Sequence, residues 1–261
     1  YLYGNMDMEE KLAFLDEHYL SHFDYLDVDS VIQEQKAFGA CQDVTLEYPV
    51  AENEGEEDNT YLSYNMVVGN AADSQMAMAF EVLDYALLSA PGAPLKQALI
   101  DAGIGKDILG GYESGILQPF FSVIAKDANK EQKSEFLAIV KGTLRKLADQ
   151  GINRKSLLAG MNYFEFKYRE ADYGSAPKGL MYGLQCLDSW LYDGDPMTHL
   201  CYQETFDFLK KEVENGYFEQ LIKDYLLDNP FEAVIVVAPE KNLTAKEDEK
   251  LAKKLADYKA S

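Results

Sequence analysis

His18 and His22 are the residues whose type and spacing most directly suggest chemistry, because four residues along a helix set two imidazoles on one face, as helical zinc ligands require. Their partners are missing. An H-E-x-x-H site needs Glu where Tyr19 stands, and an H-x-x-E-H site needs it where Ser21 stands, so no carboxylate is placed to take a proton from a metal-bound water. Glu17 and Asp24 could complete a weak adventitious site and nothing more. His199, the remaining histidine, sits two residues from Cys201 without a triad pattern, and Ser114 and Ser175 lie near glycines but outside a G-x-S-x-G frame. Gly103, Gly105, Gly110 and Gly111 do not make a phosphate loop: G-x-G-x-x-G would need glycine at Ile108, and no Lys-Ser or Lys-Thr follows. They read as a turn between a helix and a strand. Asp193-Gly194-Asp195-Pro196 lacks the spacing and terminal glutamate of a calcium loop and reads as a helix-ending turn. Tyr163, Phe164, Phe166, Lys167, Tyr168, Arg169 and Glu170 mix rings with a guanidinium, a combination suited to peptide contact, although core packing with a solvated edge accounts for the same residues. No catalytic residue and no metal ligand is therefore assigned, and no residue is singled out for peptide contact.

The elements that carry these residues follow from periodicity. Tyr1 to Tyr3 reads as the end of a strand, and Asn5 or Asp7 can cap a helix with Met8, Leu12, Leu15 and Tyr19 at helical spacing. Phe38 to Tyr48 is extended, and Glu52 to Asp58, with five acids in seven residues, is a solvated linker. From Thr60, Leu62, Tyr64, Met66 and Val68 alternate with Tyr61, Ser63, Asn65 and Val67, the period of a strand. Helices are expected at Ala72 to Ser89, from Pro94 to a stop at Gly103 and Gly105, and over Glu131 to Gln150, Arg154 to Ala171, Pro177 to Leu191, Tyr202 to Val213 and Tyr217 to Leu227. Leu117 to Ala125 and Ala233 to Val237 are apolar runs that demand burial as strands and are expected to share one sheet with Tyr61 to Val68. This order implies an α+β fold, a mainly antiparallel sheet with helices packed on one face.

Composition narrows the class. A chain of 261 residues, 47% hydrophobic and 26% charged, buries a sizeable core. No run of eighteen apolar residues is present, so a transmembrane helix is not expected. The formal charge of −21, from 24 basic and 45 acidic side chains, opposes binding to nucleic-acid phosphates and suits positive partners. Cys41, Cys186 and Cys201 are odd in number and lack C-x-x-C spacing, as expected of free thiols in a reducing compartment, the cytoplasm or an organelle reached with a transit peptide.

Pro94-Leu95-Lys96-Gln97-Ala98-Leu99 followed by Gly103-Ile104-Gly105, and Trp190 before Asp193-Gly194-Asp195-Pro196, resemble in this order the insulinase-type (pitrilysin) zinc metallopeptidases, most closely their presequence-protease branch. The likeness runs over nearly the whole chain. Members carry zinc on an H-x-x-E-H helix that this chain does not have, so the resemblance implies the segment after the catalytic domain. On that basis residues 1–50 are the remnant of the preceding domain and a connector, 51–59 an acidic linker, 60–239 a complete non-catalytic domain, and 240–261 the start of a helical connector. The resemblance further implies a chamber wall and substrate-binding surface in an endopeptidase of unfolded peptides, inactive alone, with zinc in the parent enzyme and none here. Its partners would be the upstream catalytic domain, the downstream half and peptides, with neither nucleic acid nor membrane. A stand-alone metal-free structural or processing subunit of the same fold, and an unrelated acidic interaction module, are the alternatives.

Overall fold

A computed structural model describes residues 2, 4–171 and 173–260. Tyr1 and Tyr3, on which the opening strand end was read, lie outside the described residues. Asp7 caps the first helix, α1 (Met8–His18), by accepting from the Glu10 N–H at 3.0 Å. The chain then runs to β1 (Gln42–Val50) and β2 (Thr60–Val67), with the acidic stretch between them. Helices α2 (Ser74–Asp84) and α3 (Pro94–Asp101) precede strands β3 (Asp107–Glu113) and β4 (Phe120–Ala128). A helical layer of α4 (Lys133–Gln150), α5 (Arg154–Glu170), α6 (Lys178–Trp190), α7 (Gln203–Glu212) and α8 (Tyr217–Leu221) follows. Strand β5 (Glu232–Lys241) and helix α9 (Leu243–Ala260) close the described chain.

The five strands form one sheet in the order β1-β5-β2-β4-β3, antiparallel except for the parallel pair β1 and β5. The three apolar strands expected to pair are its centre. Alternation in β2 has its physical counterpart in burial: Leu62, Tyr64 and Met66 are fully enclosed, while Tyr61, Ser63, Asn65 and Val67 are half-buried. Phe121, Val123, Val234 and Val236 join the enclosed side, where Phe80 and Leu83 of α2 and Phe136, Val140 and Leu144 of α4 cover them. Helices thus pack on one face, and the other face carries the row Val44, Ile235, Ser63, Ile124 and Leu109 across all five strands.

One expectation is corrected by the sheet. Gly110 and Gly111 do not turn the chain; they lie inside β3, and the turn out of α3 is made by Gly103 and Gly105 with φ of +69° and +70°. Sequence logic reads paired glycines as a breaker, but here the neighbouring strand comes so close that only glycine fits: a Cβ on Gly110 would run into the Ser122 carbonyl. The extended chain expected over Phe38 to Tyr48 is present as β1. It hydrogen-bonds along β5 from Gln42 opposite Ala233 to Val50 opposite Lys241.

Two glycine substitutions should move stability in opposite directions. Gly110→Ala places a side chain at φ +124° against the β4 backbone and should cost about 2 kcal/mol or more. Gly142→Ala, on the exposed side of α4 with no atom within 4 Å of the new Cβ, should stabilise by about 0.5–1 kcal/mol through helix propensity. Urea unfolding of the two variants reads both shifts, and an unchanged Gly110→Ala midpoint would refute the close approach of β3 and β4.

Candidate functional site

The histidine pair does not form a metal site. Helix α1 stops at His18 because Tyr19 leaves helical geometry at φ −133°, and His22 falls in a separate 3₁₀ turn, Leu20–His22. His18 instead rests on the Phe14 ring, 4.4 Å between centroids. The expected single face of two imidazoles is thereby corrected, and no group of three or more His, Cys, Asp or Glu that could hold a metal exists among the described residues. The residues present do not fit a zinc centre.

The polar groups that do converge lie between α2, the end of β3, α6 and the 192–202 loop. Helix α2 is apolar through Ala77, Met78, Ala79, Phe80, Val82 and Leu83, and two acids interrupt it one turn apart. Glu81 as a whole is half-buried, but its Oε2 is shut off from solvent and has no hydrogen-bond partner. Desolvation pushes its carboxyl up to about 7, against the pull of Lys167 on α5 and with further elevation from Asp188 and Asp84. Burial likewise raises Asp84 to about 6, although it accepts from the Tyr112 backbone and from Ser89. Gly111 is where β3 passes this carboxylate, since a Cβ there would sit 3.0 Å from Asp84 Oδ2.

Glu81, Asp188, His199, Ser114 and Cys201 line one cavity of about 30 Å³, room for about one water. Residues that looked unrelated along the chain are therefore neighbours. They do not make a nucleophilic centre: His199 Nε2 donates to the Ala71 carbonyl at 2.7 Å, and no hydrogen bond joins it to Ser114 or Cys201. Burial is also the main reason that the Asp188 carboxyl is raised, with His199 opposing it.

The aromatic stretch of α5 divides between its two readings. Phe164 and Tyr168 pack on the core, whereas Tyr163 and Phe166 are exposed and Arg169 pairs with Glu165 at 2.9 Å. Tyr168 meets Tyr202, rings 5.4 Å apart, and together with Tyr173, Tyr182, Gln185 and Leu200 they wall an open cleft of about 400 Å³. Asp193 to Pro196 is the turn expected after α6, held by Ser189 Oγ donating to the Asp195 carbonyl at 2.6 Å. Sequence reasoning passed over Glu81, Asp84 and Asp188. The signal for the first two was present, as acids i and i+3 inside an otherwise apolar helix.

Glu81 makes stability depend on pH with a definite sign. A carboxyl raised on folding holds its proton more tightly in the folded state, so its contribution is complete below the unfolded value near 4.5 and is lost as pH rises through about 7. Glu81→Gln, which cannot ionise, should match the parent chain near pH 4 and exceed it at pH 8 by up to about 3 kcal/mol. Thermal melts at the two pH values measure this, and equal melting temperatures at pH 8 would remove the buried charge from the description.

The sequence model of the "Peptidase M16 inactive domain" family matches residues 1–162. "Protein HypA" of Clostridium perfringens is 42% identical over 261 residues, covering all of this chain and 27% of that protein. "Presequence protease 1, chloroplastic/mitochondrial" of Arabidopsis thaliana is 30% identical over 256 residues, 95% of this chain and 24% of that one. The chain thus spans about a quarter of the length of these curated relatives. Among solved structures, the ferredoxin protease FusC in complex with Arabidopsis ferredoxin superposes with a TM-score of 0.66 at 16% identity, over 92% of this chain and 25% of that one, a likeness of fold.

Proposed function

Since the chain belongs to the M16, or insulinase-type, peptidase family as a non-catalytic segment akin to the presequence proteases, we propose that it forms a wall and peptide-binding surface of a longer zinc-dependent endopeptidase. The observation that carries the reading is the free edge of β3. It ends the sheet, it pairs only with β4 among the described residues, and Asp107, Leu109, Gly110 and Glu113 are exposed along it. An edge strand offers N–H and C=O groups to an extended peptide, which adds as a further strand without regard to most of its sequence. An unfolded chain presents such a strand anywhere along its length, so the surface favours unfolded chains.

Charge sets the preference. A formal charge of −21 draws basic peptides and repels acidic ones, over a range of about 8 Å at physiological ionic strength. Glu113 and Asp107 supply acid on β3 itself, Asp107 with Lys96 3.5 Å away, and Asp84 of α2 lies against Gly111. Hydrolysis needs three protein ligands on a metal, an open position for water and a carboxylate beside it. The catalytic domain of the parent enzyme would supply that set and its zinc. FusC, which shares the fold, was solved with a protein bound, and a peptide or protein substrate for this chain's parent is in keeping with that. Three cysteines without a bridge suit a reducing compartment.

An Arg-rich extended peptide should bind the isolated chain weakly, more tightly than its Glu-substituted counterpart, and lose affinity as salt rises. Hydrogen exchange should slow in residues 107–113 when the peptide is added. Equal binding of the two peptides, unchanged at high salt and with no protection of β3, would end the proposal. The same preparation should hold no stoichiometric zinc and cleave neither peptide. Tight one-to-one zinc with chelator-sensitive turnover that is abolished by His22→Ala would instead make the chain catalytic.

A further inference from the structure

We propose that the tyrosine-walled cleft between α5 and α6 receives a lysine or arginine side chain of a bound peptide, with its positive head directed at the carboxylates behind the cleft. The proposal rests on the reading that the chain binds peptides, and it assigns one side-chain subsite within that surface.

Tyr168, Tyr173, Tyr182, Tyr202, Gln185 and Leu200 wall the cleft, whose volume of about 400 Å³ lies within the range of ligand-binding pockets. Rings of this kind accept the methylene stem of a long cation on their sides and attract its charge over their faces. The small cavity that holds Glu81 and Asp188 shares Tyr168, Gln185 and Tyr202 with the cleft. The two spaces are therefore back to back, with three residues as a common wall. On the inner side, Oε2 of Glu81 is shut off from solvent and lacks a hydrogen-bond partner, an acceptor that the fold leaves unsatisfied. A cation seated in the cleft, across that wall, is the charge that such a carboxylate attracts.

The rim does not oppose this charge. Arg169 is the one cation lining the cleft among the described residues, and Glu165 engages it at 2.9 Å while also accepting from Lys210. The route from the sheet edge is short in sequence, since Ser114, which follows the last residue of β3, lines the inner cavity.

The test uses the whole chain and two extended peptides that differ only in one lysine replaced by norleucine, which keeps the stem and removes the charge. Binding is read by fluorescence anisotropy, and protection of residues 107–113 by hydrogen exchange in parallel. The parent chain should prefer the lysine peptide by about tenfold, and Glu81→Gln with Asp188→Asn should abolish the preference while leaving affinity for the norleucine peptide unchanged. Tyr173→Leu, which lines the outer cleft and is half-buried, should reduce the preference by itself and carries the test if the double variant fails to fold. Equal binding of the two peptides by the parent chain, or a preference that survives in the variants, overturns the subsite. Loss of β3 protection with the lysine preference intact would instead strike the edge-strand reading and leave the cleft standing.

Discussion

A sheet that is covered on one side only is the constraint from which the rest of this structure follows. Helices α2 and α4 lie over the buried residues of β2, β4 and β5, and their apolar stripes are completed by α5, α7 and α8. At about 25 cal/mol per Å² of apolar surface, enclosing Tyr64, Phe80, Phe121, Phe136, Phe206 and Phe218 is the dominant favourable contribution to folding. The opposite face receives no such cover among the described residues. Leu46 is 52% exposed and Leu109 is 43% exposed there.

Two polar clusters within this architecture differ in how completely they are satisfied. Near the β5 end of the sheet, the Tyr64 hydroxyl donates to the Glu232 carboxylate, and Lys141 contacts both oxygens of that group at 3.1 and 3.2 Å while standing 5.0 Å over the Tyr64 ring. Every charged member has a partner, and the arrangement ties α4 to the sheet. Glu232 also acts on Cys41, whose thiol is raised by burial and then by that carboxylate, with Lys141 opposing. Around Glu81 the opposite holds. Desolvation is not balanced by hydrogen bonds, and the cluster costs stability once its carboxyl ionises. A protein selected for stability alone would have an apolar residue on α2 at that position.

One cluster is satisfied within the fold, and the other keeps an acceptor without a partner. β3 lies beside the second cluster: its Tyr112 ring stacks on Phe80, 5.6 Å between centroids, and its outer edge pairs with no strand among the described residues. Its glycines allow close packing against β4 and pass Asp84 without a side chain in the way. β4 already holds the strand in extended form.

Much of the fold was legible along the chain wherever the signal is local. Alternation from Leu62 to Val68, the apolar run from Ala233 to Val237 and the helical periods of α2, α4 and α5 each reflect a residue's distance to its own near neighbours, and the structure contains all of them. The resemblance carried by Pro94 to Gly105 and by Trp190 with the following turn was equally a matter of short motifs in order. What depended on long-range approach was not legible. Gly110 and Gly111 look like a breaker until the Ser122 carbonyl is placed against them, and β1 finds its partner some 190 residues later, at Ala233 opposite Gln42. His18 and His22 have helical spacing, yet the helix ends between them at Tyr19. The acidic cavity draws Glu81, Ser114, Asp188, His199 and Cys201 from separate segments, so no spacing rule could have joined them. Composition and local period determine which faces must be hidden; only the packing of those faces decides which polar groups are trapped together and which strand is left with an open edge.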